Sequence, residues 1–111
     1  MIVEDNAEMR RLIVNIVNDL ADSIAECSDG ADALAVYAAY QPDLVLMDVK
    51  MARLDGITAS RRIIADFPDA NICAVTDYND KQTRDAARLA GISNYVSKEN
   101  LFEIRGVIEG L

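Results

Sequence analysis

Histidine is absent from the 111 residues, and cysteine occurs only at Cys27 and Cys73. These two thiols lie in separate apolar runs, without the spacing of a zinc site or a redox pair, which predicts buried, reduced side chains. No apolar run approaches the ~20 residues that a bilayer-spanning helix needs, and no basic segment followed by a signal-type core opens the chain. A cytoplasmic location and no membrane partner are therefore expected. Positive charge is scarce: 11 Lys and Arg face 19 Asp and Glu, a net charge of -8. Such a surface repels a duplex, so direct nucleic-acid contact is not expected of this domain. Internal repeats, low-complexity tracts and Pro/Gly/Ser-rich linkers are also missing, and residues 1–111 read as one domain.

What is present is a composition suited to folding, 51% hydrophobic and 27% charged,. Short apolar runs at "MIV" (1–3), "SIAEC" (23–27), "LVLM" (44–47), "NICAV" (71–75) and "NYV" (94–96) predict five strands,. Segments with helical spacing separate them. Leu12, Ile13, Ile16, Val17 and Leu20 form the first stripe, with Asn6 as its cap,. Ala31, Leu34, Ala35 and Ala38 form the second, which must end near Pro42,. Asp55 caps the third, whose apolar positions Ile57, Ile63, Ile64 and Phe67 stop at Pro68. Asn79 or Asp80 opens the fourth and Gly91 closes it,. Asn100 caps the last, with Leu101, Ile104, Val107, Ile108 and Leu111 facing inward. Strands alternating with helices predict an α/β fold, a parallel sheet covered on both faces.

The residues that follow each apolar run carry the chemistry. Glu4 and Asp5 follow the first, Asp48 the third, Thr76 the fourth and Lys98 the fifth. A lone acid at a strand end is ordinarily a turn or cap residue, and a lone lysine is ordinarily solvated. Five such groups ending four strands on one edge are a different matter, because open parallel sheets bind ligands outside the carboxyl ends of their strands. Three carboxylates gathered there repel by about 3 kcal/mol per pair at ~5 Å and an effective dielectric near 20. Oxygen ligands without histidine or cysteine favour a hard cation, and so small a set suits Mg²⁺ better than Ca²⁺. With the Lys98 ammonium and the Thr76 hydroxyl, the set makes a receptor for a phosphoryl group, with a carboxylate as nucleophile.

The stretches "IVEDN", "LVLMDVKM" with "LDG" following, "AVT" and "YVSK" occur in order and at suitable separations. On them the sequence resembles the receiver domain of a two-component response regulator over nearly its whole length. The resemblance implies a flavodoxin-like, three-layer, doubly wound sheet of five parallel strands in the order 2-1-3-4-5. It implies that Asp48 is the phosphoacceptor, that Asp5 binds Mg²⁺ directly and that Glu4 acts on it through water. It further implies that Lys50 contributes a backbone carbonyl to the metal and that Thr76 and Lys98 hold phosphoryl oxygens. Tyr95 then matches the aromatic whose rotation accompanies Thr76 movement. The partners implied are a histidine kinase or phosphotransfer protein and a downstream effector, with a homodimer through the last helices as a further option. Apart from its own phosphorylation and dephosphorylation, no enzymatic activity is expected. Phosphorylation would switch the face formed by helix 4, strand 5 and helix 5.

Three positions and the start of the first strand depart from the family pattern. Asp77 follows Thr76 where a small residue is usual, which predicts slow phosphorylation. Ala52 and Glu99 stand where prolines are common, which predicts looser loops near Asp48 and Lys98. The first strand begins several residues later than in the family, which predicts a natural start upstream of Met1. The alternative is a receiver-like interaction module that signals without phosphorylation, and Asp77 is its best support. A phosphatase with an aspartyl-phosphate intermediate is weaker, since Lys50 occupies the position where such enzymes place an acid/base aspartate.

Overall fold

The computed structural model describes residues 1–77 and 80–111. Five parallel strands form one sheet in the order β2-β1-β3-β4-β5. They are β1 (Ile2–Val3), β2 (Glu26–Cys27), β3 (Val45–Asp48), β4 (Ile72–Thr76) and β5 (Asn94–Ser97). Five helices alternate with them: α1 (Ala7–Val17), α2 (Ala33–Tyr40), α3 (Gly56–Asp66), α4 (Lys81–Leu89) and α5 (Glu103–Glu109). This is a doubly wound α/β architecture, with the reversal of strand order at β1 and β3,.

Alternation along the buried strands assigns side chains to two cores. Val3, Val45, Met47, Ile72 and Ala74 face α2, α3 and α4 through Ala33, Tyr37, Ala59, Ile63 and Ala87. Ile2, Leu46, Cys73, Val75 and Val96 face α1 and α5 through Ile13, Val17 and Ile104. Both cysteines are free and buried, as their apolar context predicts. Burial pushes the Cys73 thiol up to about 12,. Among the described residues no helix is long and apolar enough to cross a membrane.

Several local expectations hold at the level of single atoms. The Asn6 side chain accepts from the Met9 amide at 2.9 Å, Asp55 from Thr58 at 2.8 Å and Asp80 from Thr83 at 2.7 Å, each capping a helix,. The alternative cap for α4, Asn79, lies outside the described residues. Gly91 has φ +95°, the left-handed conformation that ends α4,.

Others are corrected. β2 contains only Glu26 and Cys27 of the run 23–27. In α1 Ile13 and Val17 are buried and Ile16 packs partly buried against the same core, while Leu12 is exposed. α2 buries Ala33 and Tyr37; of the expected stripe Leu34 packs partly buried against the core, while Ala31, Ala35 and Ala38 are exposed. In "ALAVYAAY" every position is apolar, so periodicity cannot distinguish a face,. Asn100 lies in a 3-10 turn, and α5 starts at Glu103 without a side-chain cap. Leu111, beyond that helix, is exposed.

Candidate functional site

The strand β3 is buried at all four positions, and its last residue is Asp48, with 4% of its surface exposed. Burying that carboxylate costs free energy unless its partners compensate. The reason it stays in place lies in the next turn. The Gly56 amide donates to the Val49 carbonyl at 2.7 Å, and a β-carbon at position 56 would stand 1.9 Å from the Asp48 carbonyl oxygen. Only glycine lets the start of α3 approach the strand end so closely, and Asp55 caps that helix from the preceding position. The segment "LDG" is therefore a clasp on the end of β3.

β1 pairs directly with β3, Val3 opposite Met47, so the residues that follow, Glu4 and Asp48, lie side by side at the carboxyl edge of the sheet. Glu4, Asp5 and Asp48 each offer a carboxylate oxygen, and the three oxygens lie within 4.8 Å of one another. Glu4 is buried and Asp5 exposed. Lys98 opens the 3-10 turn after β5 and reaches across, placing Nζ 2.9 Å from Glu4 Oε1 and 3.2 Å from Asp48 Oδ1. The Glu4 contact is an ion pair without the alignment of a hydrogen bond.

One ammonium thus serves two buried carboxylates. Asp48 is pushed up to about 7, by burial first and then by Glu4, with Lys98 opposing,. Burial acts against the charged form of Lys98, but its contacts with Glu4 and Asp48 outweigh that and raise it above its usual value. Three carboxylates and one ammonium leave an excess of two negative charges, which one divalent cation would balance. An oxygen-only donor set of this kind fits Mg²⁺.

Thr76 ends β4 fully buried, and Tyr95 stands next to it across the β4–β5 pair, opposite Ala74. Burial, and after it the Asp80 carboxylate, pushes the Tyr95 hydroxyl above its usual value. The Arg84 guanidinium and the Thr76 hydroxyl act the other way. Arg84 on α4 sits over the Tyr95 ring, 5.5 Å from its centroid,. Lys50 is exposed in the loop between β3 and α3. Asp77, exposed, lines a cleft of about 360 Å³ together with Asn6, Glu8, Met9, Leu12 and Lys98.

Residues 1–108 match the family model of the response regulator receiver domain. The chain belongs to this family. Receiver domains are signalling modules of two-component systems, and they bind Mg²⁺ through acidic residues of the kind gathered here. The chain is 40% identical over 81 residues to the transcriptional regulatory protein YhcZ of Bacillus subtilis, covering 73% of this chain and 38% of that protein. It thus spans well under half of the longer relative. To the chemotaxis protein CheY of Halobacterium salinarum it is 32% identical over 98 residues, 88% of this chain and 82% of the other. Among solved structures, a LuxR-family response regulator from Aurantimonas sp. SI85-9A1 superposes with a TM-score of 0.88 at 27% identity, covering 99% of this chain and 84% of its own.

One contributor to the site has no signal in the sequence. Arg10 on α1 donates from Nη1 to the Glu4 carbonyl at 2.8 Å and from Nε to Glu26 Oε1 at 3.1 Å, tying the turn after β1 to β2. A charged residue on an amphipathic helix reads as solvated until the fold places a carbonyl beneath it.

Proposed function

We propose that this receiver domain accepts a phosphoryl group on Asp48. A carboxylate oxygen of Asp48 attacks the phosphorus of a phosphohistidine on a histidine kinase or phosphotransfer protein, the N–P bond breaks with its electron pair leaving on the imidazole, and an acyl phosphate results. Water later attacks that phosphorus and restores the carboxylate. The observation that carries this reading is the position of Asp48: last residue of a buried strand, with Glu4 and Asp5 oxygens within 4.8 Å and the Lys98 ammonium at 3.2 Å.

Asp5, Asp48 and the Lys50 carbonyl would hold Mg²⁺, with Glu4 acting through water. The ion would neutralise charge on the transferred oxygens. Lys98 and Thr76 bind phosphoryl oxygens, and the new charge draws them inward. Tyr95 and Arg84 link that movement to α4, so the α4–β5–α5 face changes its affinity for an effector domain or protein, or for a second copy. Residues 1–111 act as one domain on the cytoplasmic side, where a kinase supplies the phosphohistidine.

Intact-mass measurement after incubation with Mg²⁺ and acetyl phosphate tests the proposal, with Asp48→Asn as control. One added phosphoryl group on the wild type and none on the variant is expected. An unmodified wild type under every small-molecule and kinase donor would favour an interaction module that works without phosphorylation, the reading that Asp77 in the cleft it shares with Lys98 supports.

A further inference from the structure

The loop between β3 and α3 carries Lys50, and the sequence predicts it to be loose because Ala52 replaces a stiffening residue. In the structure three ties hold it. The Ala52 amide donates to Asp5 Oδ2 at 3.3 Å. Next to it, Arg53 Nη1 lies 2.7 Å from Asp29 Oδ2. Finally, the Leu54 carbonyl packs on Gly30 so closely that a β-carbon there would stand 2.2 Å from the Leu54 oxygen.

Asp29 is anchored as well. Its other carboxylate oxygen accepts from the Ala31 amide at 2.8 Å and caps the 3-10 turn that precedes α2. Its side chain is only 15% exposed, against 71% for Arg53. The pair therefore fastens an exposed arginine to an anchored acid, and the arginine is the immediate neighbour of the residue whose amide contacts Asp5.

We propose that Asp29 and Arg53 form a brace that positions the Ala52 amide, and through it the Asp5 carboxylate and the Lys50 carbonyl, for divalent-cation binding. Both are positioning residues and neither touches the ion. The inference rests on the Mg²⁺ reading of the acidic cluster. Gly30 makes the brace feasible, since any side chain there would push the Leu54 carbonyl and the whole loop away from Asp29.

Charge alone and bracing make opposite predictions for Arg53. Removing a cation near an acidic cluster should tighten Mg²⁺ binding by Coulomb attraction, whereas removing a brace should weaken it. The test is an NMR titration of the full chain with MgCl₂ at constant ionic strength, following the Asp5 and Ala52 amides. The variants are Arg53→Ala, Asp29→Asn, the double variant and Arg53→Lys. Asn keeps an oxygen for the Ala31 amide, so the cap survives. Both single losses should raise the Mg²⁺ dissociation constant about threefold, a size suited to a partly exposed pair. The double variant should lose no more than the worse single one, and Arg53→Lys should recover most of the affinity. Melting temperatures close to wild type separate loss of the brace from unfolding.

An Arg53→Ala protein that binds Mg²⁺ as tightly as wild type, or more tightly, would overturn the brace, as would multiplicative losses in the double variant. Those outcomes leave the phosphoacceptor reading standing. A wild-type chain that binds no Mg²⁺ would overturn both.

Discussion

Gly56 packs against Asp48 with no room for a side chain: a β-carbon at position 56 would meet the Asp48 carbonyl oxygen at 1.9 Å and its carbonyl carbon at 2.8 Å. Both obstacles are backbone, which cannot rotate away. Gly56→Ala should therefore cost about 2–4 kcal/mol of stability. Urea unfolding of the two proteins measures this, and a loss below about 0.5 kcal/mol, the range of an ordinary surface substitution, would contradict it. Because the displaced atom is the backbone of the proposed phosphoacceptor, labelling by acetyl phosphate should slow as well.

Asp48 also sets a pH dependence in metal-free protein. Its folded value of about 7 lies above the ordinary 3.8, because burial and the Glu4 carboxylate outweigh Lys98. The folded state then binds more protons than the unfolded one between these values, so stability falls as pH rises from 3.8 to about 7 and levels off above,. Asp48→Asn removes the titration. At pH 8 without divalent ions the variant should melt about 5 °C higher than wild type, corresponding to roughly 1 kcal/mol in a domain of this size. The gap should close below pH 4 and shrink when Mg²⁺ is added. Equal melting curves at pH 8 in chelator would refute the assignment.

Asp77 lines the same cleft as Lys98. An anionic phosphodonor entering there meets its charge, so Asp77→Ala should speed acetyl phosphate labelling of Asp48 about threefold. Added salt should reduce the difference, because exposed charges are screened. An unchanged or lower rate in the variant would show that Asp77 does not hinder donor entry.

Lys98 lies 2.9 Å from Glu4 and 3.2 Å from Asp48, so it would compete with a divalent cation for the same oxygens. Lys98→Met should accordingly bind Mg²⁺ about tenfold more tightly, by the loss of one repulsive charge. Calorimetric titration reads this directly. Weaker Mg²⁺ binding in the variant would show that Lys98 orients the carboxylates more than it opposes the ion.

Much of the architecture was legible because it is written in short-range patterns. Each of the five apolar runs overlaps a strand, with β3, β4 and β5 extending one residue past the run, and Asn6, Asp55, Asp80 and Gly91 act at the helix ends where their chemistry suits them. The failures are equally physical. α2 is apolar all around, so no face could be chosen from spacing, and Tyr37 proved to be its anchor in the core, 4.9 Å from the Phe67 ring by centroids. Asn100 had the right side chain for a cap, but the chain first makes a 3-10 turn that keeps Lys98 near Asp48. The candidate site was legible as a list, since each of its main groups ends a strand or closely follows one. Arg10, Arg84 and the Asp29–Arg53 pair were not, because their partners are backbone atoms, a ring face and a distant loop.

By itself the sequence determined that the chain alternates buried strands with amphipathic helices and that acidic, hydroxyl and ammonium groups end those strands. Periodicity and capping act within a few residues, so they survive in the order of the letters. Only the tertiary structure decided that Asp48 shares one ammonium with Glu4, that Gly56 clasps the strand end and that Asp29 reaches Arg53. Those relationships depend on which strands lie side by side and how closely two backbones can approach, quantities fixed by packing across the whole domain.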